Sequence, residues 1–578
     1  MGLATAAGLS VLASGAPARA CGGFFCDRPQ ANAGPPIAQA GENVLFALDR
    51  DPVSGAGLVE AHIQIKYTGA ADQFSWVVPI SSLPTIGVGT DVLFQLLEPK
   101  TRPTFTLNWS VDGTCQGQGT DSSSIGCGGS SSASSGASHS ADAGAVGGAQ
   151  PTVDVAFRGN VGPYDVAIVK SDDPTALETW LTDNQYFVSP DAATIIDEYV
   201  ATQNYFVALR LQSGKDVDEI QPVVLKFTAE EGCIPLRLTA IAATPDVRIN
   251  VWVLGAARAV PIGYQEFSLD EAKVDWIAGG GNYDAVVSDA ANEAGGNAFL
   301  TEYAQATTAA VSWFTVPGNA VTLLRAATTP ATFVQQLQAL GLPLSGRVIE
   351  VLREQLPEPA SLVAQGVTEA QFYAALGSYT SPSVGGTTAF SPSAAADAID
   401  SEVLQPMANV RPLFVNHPTL TRLATFISPD EMTKDPLFVV NPSLPDVSNL
   451  HTAQAHVLCG DQDHDLCSAP VRVDVAQKTS IVFAATGGGY CSGAASAFSR
   501  GNLDTDLPAA EQSWQRDATS AGTPTIDNSA TIAAVLRAHN AQVTGGGTAC
   551  AVARTRRLQL PGLLLLGALY LLRARRRR

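Results

Sequence analysis

The chain has 578 residues, 46% of them hydrophobic and 15% charged, against about 25% charged in an average soluble protein; there is ample material for packed cores, and disorder is excluded for most of the length. With Arg19 and the eight arginines beyond Cys550 set aside, 25 basic side chains face 54 acidic ones, and such a surface repels nucleic acid, whose phosphates need clustered Lys and Arg. No body segment reaches the ~18 uninterrupted apolar residues of a membrane-crossing helix, and at roughly 100–200 residues per domain two to four domains are expected.

Residues 1–20 are small and apolar and end Ala18-Arg19-Ala20, a cleavage signature directly before Cys21, so an export signal removed after Ala20 is expected. Lipid attachment at Cys21 is the weaker alternative, because Ala18 and Arg19 suit a lipoprotein signal poorly. From 21 to 265 the pattern is mainly strand-like. Ile63, Ile65 and Tyr67 alternate with polar neighbours, as do Val247, Ile249, Val251 and Val253, which is the period of a half-buried strand. The alternation also places His62 on the outward face, exposed to solvent.

Two helices interrupt this β-rich domain. Asp173-Pro174 is a cap followed by proline at the first helical position, ahead of a Leu177, Trp180, Leu181 stripe; Ser189-Pro190 opens the second. Residues 116–150 are Ser, Gly and Ala with almost no apolar anchor, a flexible insertion. Between 266 and 405 the periodicity becomes helical, as in Phe333, Leu337, Leu340 and Val348, Val351, Leu352. From 406 to 549 the region is mixed. A strand pair is expected at 471–475 and 480–485, a loop at 501–524 and a last helix at 528–539.

Residues 550–578 contain Cys550, an apolar run at 560–572 and a terminal arginine cluster. At 1.5 Å per residue that run spans roughly 20 Å, short of the ~30 Å hydrocarbon core, so a sorting signal explains it better than a stable anchor. The tail resembles the C-terminal sorting signals of myxobacterial-type surface proteins, and the resemblance implies processing or attachment at Cys550. The body resembles a known family as well. Ala20-Cys21-Gly22-Gly23-Phe24-Phe25-Cys26, Phe74-Ser75-Trp76-Val77-Val78-Pro79, Val161-Gly162-Pro163-Tyr164-Asp165, Pro235-Leu236-Arg237-Leu238-Thr239-Ala240 and Phe299-Leu300-Thr301-Glu302-Tyr303 together are similar to the bacterial exported family called domain of unknown function 2330. The resemblance implies export and no activity.

Nine cysteines, Cys21, Cys26, Cys115, Cys127, Cys233, Cys459, Cys467, Cys491 and Cys550, would be oxidised in pairs in an exported chain, with the odd one, Cys550, assigned to the tail. Proximity suggests Cys21–Cys26, Cys115–Cys127 and Cys459–Cys467, leaving Cys233 with Cys491, although eight cysteines allow 105 arrangements.

Two segments carry candidate chemistry. His451, His456, Cys459, Asp461, Asp463, His464, Asp465 and Cys467 fall within 17 residues. Two His with two Cys could hold zinc, and the three alternating aspartates suggest positions 1, 3 and 5 of a calcium loop, although Leu466 and Arg472 stand where that loop needs Gly and Glu. The leading reading is a disulfide-closed acidic loop with no cofactor; zinc or calcium is the minor one. Gly489-Tyr490-Cys491-Ser492-Gly493 has the form of a nucleophile elbow with Asp527 and His539 behind it, but a paired Cys491 has no thiolate with which to attack. Glu302 with Tyr303, Asp275 with Trp276, and Glu230-Glu231 read as capping or solvated residues.

The expectation is an exported, disulfide-braced α+β protein of the cell envelope or surface, with its membrane contact made through the C-terminal tail. It would bind or scaffold an envelope or extracellular ligand without catalysis, the catalytic set being none. The alternative is a secreted hydrolase, metal-dependent through 451–467 or thiol-dependent through Cys491.

Overall fold

The computed structural model describes residues 38–68, 75–116, 153–186, 188, 190–212, 220–379, 390–475 and 479–545. The export signal, Cys21, Cys26, Cys127, Cys550, the tail and most of the Ser/Gly insertion lie outside them. The fold is α+β, organised on a ten-stranded mixed sheet. Its strands run in the order Thr523–Asp527, Ala510–Gln515, Gln265–Leu269, Ala298–Ala306, Thr419–Ile427, Ala243–Gly255, Ala38–Arg50, Gly57–Thr68, Val223–Thr228 and Thr85–Val88. These strands come from all three segments expected from the sequence, so the composition changes near 265 and 405 do not separate independent sheets.

Alternation along the central strands assigns their two faces. Val44 and Phe46 with Ile249, Val251 and Val253 point to one side, where a four-stranded sheet (Ser75–Ile80, Tyr205–Leu211, Tyr164–Lys170, Asp154–Val161) closes a core through Trp76, Ile168 and Leu209. Leu45, Trp252 and Leu254 point to the other, against the helices between 308 and 416 and the helix Asp91–Thr101. Side chains two apart share a strand face, and here both faces are covered. His62 is therefore 3% exposed, contrary to the solvent-facing position expected from alternation. A polar residue on the far face of a strand is exposed only when nothing packs there.

Local signals match where neighbouring residues suffice. Asp173 caps Pro174–Asp183, its carboxylate accepting from the Thr175 and Ala176 amides, and the buried stripe includes Leu177 and Leu181. That helix and Pro190–Ala201 cover the outer face of the four-stranded sheet. Phe333 and Leu337 are buried on Pro330–Ala339, and Val348, Val351 and Leu352 on Gly346–Gln355. Val471–Val475 pairs antiparallel with Thr479–Ala485, and the last helix is Ser529–Thr544.

Three expectations are corrected. The helical middle contains the strand Ala298–Ala306, inserted between Gln265–Leu269 and Thr419–Ile427. The expected loop at 501–524 contains the helix Leu503–Asp506 and the strand Ala510–Gln515. The expected Cys-rich loop is mostly strand: Leu450–Asp465 is the second strand from the edge of a five-stranded sheet, parallel to the edge strand Thr104–Gln116.

That last change decides the disulfides. Cys459 is bonded to Cys115 and Cys467 to Cys491, while Cys233 is a free, exposed thiol. The pairing of the two strands slips between Leu458 and Gly460 and again between Asp461 and Asp465, and Gly113 and Gly460 both have positive φ. At this irregular stretch Cys459 bonds to Cys115 of the neighbouring strand, and Cys467, carried round the following turn, meets Cys491. The expected pairs Cys115–Cys127, Cys459–Cys467 and Cys233–Cys491 are replaced.

Candidate functional site

Between the ten-stranded sheet, the five-stranded sheet and the helix Ser529–Thr544 lies a cavity of about 970 Å³. Its polar wall begins on Gln265–Leu269, where Glu266 and Ser268, two residues apart, share a face. Glu266 is 2% exposed and is held from three directions: by the Arg258 guanidinium, the Arg516 guanidinium and the Thr301 hydroxyl, which all donate to its carboxylate. Arg516 in turn lies over the Trp514 ring at 4.4 Å, and Arg258 donates to the Pro445 carbonyl at 3.0 Å. A buried carboxylate with charged donors on both oxygens is fixed in place as well as neutralised.

Asp270, just beyond that strand, is less well satisfied. Its Oδ1 accepts the Ala272 amide at 3.0 Å, while Oδ2 is buried with no hydrogen-bond partner among the described residues. Burial pushes its carboxyl up to about 7, against the smaller lowering by the Ala272 amide. Among the described residues Arg258 Nε and Ser268 Oγ are also buried without partners. Each such atom costs about 1–3 kcal/mol when left unpaired, and all three belong to residues lining the same cavity.

Glu302 supplies the deep end. The register between Ala298–Ala306 and Thr419–Ile427 shifts between Thr301 and Tyr303, so Glu302 is the extra residue of a β-bulge, a device that re-aims a side chain. Its carboxylate meets Arg422 Nε at 2.5 Å, with both side chains fully buried, and accepts from the Tyr283 hydroxyl at 2.8 Å. Burial above all, and then Glu302 itself, drive the Tyr283 hydroxyl well above its ordinary value, which keeps it a donor. Arg422 extends the network to Glu98 at 2.9 Å and stacks over Trp252 at 5.0 Å. Arg248 joins Glu302 to Asp284, which also binds Arg102 at 2.8 Å. Glu302 is thus the buried centre of an ion network, not the capping residue that its sequence context suggests. Local sequence carries no sign of the bulge.

The remaining wall is aromatic. Phe105 stacks on the His451 imidazole, with centroids 5.0 Å apart, and His451 Nδ1 lies 2.8 Å from Glu271. His451 is the one member of the expected metal segment that reaches the cavity. His456 sits elsewhere, between Asp112 at 3.0 Å and Asp474 at 3.4 Å. Cys459 and Cys467 are in separate disulfides, which removes them as ligands. Asp465 turns its carboxylate back on the Cys467 and Ser468 amides, while Asp461, Asp463 and His464 are exposed. An extended strand spreads these side chains, and among the described residues no three His, Cys, Asp or Glu side chains converge on a metal position.

The alternative reading of residues 489–493 as a nucleophile elbow does not assemble. Cys491 is bonded to Cys467, His539 Nε2 lies 2.8 Å from the Val482 carbonyl, and Asp527 accepts the Ser529 amide at the start of the last helix. Asp275 and Glu230 behave as read: Asp275 accepts the Ala278 amide, and Glu230 pairs with Arg50. Glu266, Ser268 and Asp270 were legible only as polar residues alternating with Phe267 and Leu269, the pattern of a solvent-facing strand; their burial comes from the sheet and helix opposite.

Fold and site define an α+β protein with a ligand-sized polar cleft between two sheets. Residues 30–317 match the model of a family described as "Uncharacterized protein conserved in bacteria (DUF2330)". That segment contains both Glu266 and Glu302, while Trp514 and Arg516, which complete the wall, and Arg422, the partner of Glu302, lie beyond it. No curated protein and no solved structure matches the chain.

Proposed function

We propose that this is an exported cell-envelope or surface protein that acts by binding, and that the inter-sheet cleft is its ligand site. The observation that carries the reading is the group of three buried, unpartnered polar atoms, Arg258 Nε, Ser268 Oγ and Asp270 Oδ2, in residues lining one cavity. They offer a fixed donor and two groups able to accept. Phe105 and Trp514 provide apolar surface beside them. Ligand pockets combine an apolar lining with a few placed polar groups, and this set suits a hydroxyl-rich, uncharged ligand such as an envelope saccharide. Export is supported by the residues 1–20 and by the two disulfides, which persist in oxidising compartments. Anchoring is proposed through the Cys550 tail; among the described residues no helix is long and apolar enough to cross a membrane.

Trp514 lies in the cleft wall, so its fluorescence reports binding directly. Titration of the whole chain with a panel of envelope oligosaccharides is expected to give saturable quenching that Asp270→Ala abolishes. A silent panel, or turnover of the bound saccharide, overturns the reading. The intact mass of protein extracted from envelopes tests the address: loss of residues 1–20 and of most residues after Cys550 is expected, and a full-length mass rejects it.

A further inference from the structure

A second cleft, of about 690 Å³, opens at the far end of the ten-stranded sheet. One wall is the sheet edge, with Glu60, His62 and Lys226, together with the turn that leads from Thr85–Val88 into the helix Asp91–Thr101. The other wall is helical and contains an irregularity. Residues 392–416 form one helical run whose middle, Asp400–Leu404, is a π-helix. It places Ser401 and Glu402 on the cleft. Single π-turns inside α-helices are rare and occur frequently at functional sites.

Four carboxylates line this cleft, those of Glu60, Asp91, Glu350 and Glu402, against the two fixed cations Lys226 and Arg347. Both cations are already engaged. Lys226 binds Glu60 at 2.8 Å, and Arg347 spans Glu350, at 2.7 Å, and Glu402. Burial works to raise Glu60, but hydrogen bonds from His62 and Lys226 outweigh it and hold the carboxyl at about 2, a permanent anion. Among the described residues Asp91 is bonded through its side chain to the Gln64 amide alone, at 2.8 Å. Burial pushes it up to about 6; Gln64 opposes this, Glu350 adds to it and Arg347 offsets part of it.

His62 supplies an independent observation. Its Nε2 lies 3.0 Å from Glu60 Oε1, and a carboxylate only accepts, so Nε2 carries the hydrogen; in the neutral ring Nδ1 is then an acceptor. His62 lines the cleft at 3% exposure, and that Nδ1 is buried with no hydrogen-bond partner among the described residues. The unmet demand of the cleft, at Asp91 and at His62, is therefore for donors and positive charge.

We propose that this cleft binds a small organic cation bearing primary amines, with its ammonium group at Asp91 and between the two walls. The volume is that of an organic ligand, and among the described residues no three candidate ligands converge on a point, which favours an ammonium ion over a bare metal ion. An ammonium offers three donors in directions that several carboxylates can share.

Calorimetric titration of the full chain with 1,4-diaminobutane tests this. Saturable binding is expected at pH 7.5. At pH 5 an Asp91 that titrates near 6 is mostly protonated, so affinity is expected to fall by about tenfold. The groups that face it from the packed elements are Gln64, Glu350, Arg347, Glu60, His62, Lys226 and Glu402. Asp91→Asn is expected to weaken binding by at least about tenfold at pH 7.5. Asn409→Arg places a guanidinium at the exposed rim without disturbing a buried contact, and is expected to abolish binding while leaving the melting temperature unchanged. Absence of diamine binding, or unchanged affinity in both variants, overturns the proposal. So does calcium binding that Asp91→Asn removes, which would assign the cleft to a metal ion.

Discussion

Glu302 and Arg422 meet at 2.5 Å in the middle of the molecule with neither side chain exposed to solvent. The Glu302 carboxylate faces two arginines and a tyrosine, and Arg422 faces two carboxylates. Removing one partner of such a pair leaves a charge without compensation, at a cost of about 3–5 kcal/mol, whereas replacing both by apolar residues costs much less. Glu302→Ala is therefore expected to lose about that much stability in urea unfolding. The double variant Glu302→Leu with Arg422→Met is expected to recover a large part of it; no recovery would mean that the bulge itself, and not the charge pair, is the stabilising feature.

Glu42 gives the pH dependence. It is buried on the central strand Ala38–Arg50 with only the Gln39 amide, 2.9 Å away, as side-chain partner, and burial raises its carboxyl to about 7 against the lowering by Gln39. The folded protein thus keeps a proton up to about pH 7 that the unfolded chain releases near 4.5. Folding takes up a proton between those values, so the contribution of Glu42 to stability falls as pH rises through that window and is level above it. Glu42→Gln removes the dependence. It is expected to raise stability at pH 8 by on the order of 3 kcal/mol and to change little at pH 4, as read by thermal melts across pH.

The two disulfides differ in access. Cys115 and Cys459 are 2% and 0% exposed, while Cys467 and Cys491 are exposed. Under native conditions a mild dithiol is expected to reduce Cys467–Cys491 first, followed by alkylation of those two residues in a peptide map. Cys115–Cys459 joins positions 344 apart, and a loop of that length gives a large chain-entropy effect, on the order of 5 kcal/mol. Cys115→Ser with Cys459→Ser is expected to be more destabilising than Cys467→Ser with Cys491→Ser by about 2 kcal/mol, the second bond joining positions 24 apart. Equal losses would contradict the pairing.

Gly113 sits beside the first of these bonds with φ +84°, and a Cβ there would lie 2.0 Å from the Gly460 carbonyl oxygen. The parallel strands approach too closely at this point for any side chain. Gly113→Ala is expected to cost at least about 2 kcal/mol, from the left-handed conformation alone and then from the clash. Gly87, with open space around the same position, serves as the comparison: Gly87→Ala is expected to change stability by less than about 1 kcal/mol.

Much of this architecture can be read one segment at a time. The Asp173-Pro174 cap, the alternation of Ile63, Ile65 and Tyr67 and the stripe of Val348, Val351 and Leu352 depend on neighbours within about four positions, and these are adjacent whatever the rest of the chain does. The acidic balance and the α+β class follow from the same local information. Which cysteine meets which, whether His62 and Glu302 see water, and which polar residues line a cleft depend on elements hundreds of positions away. Alternation assigns a residue to a face of its strand; only the packing of a second layer decides whether that face is wet. For this chain the ten-stranded sheet is covered on both sides, so His62 and Glu302, which local sequence places at the surface, are buried and line its two clefts.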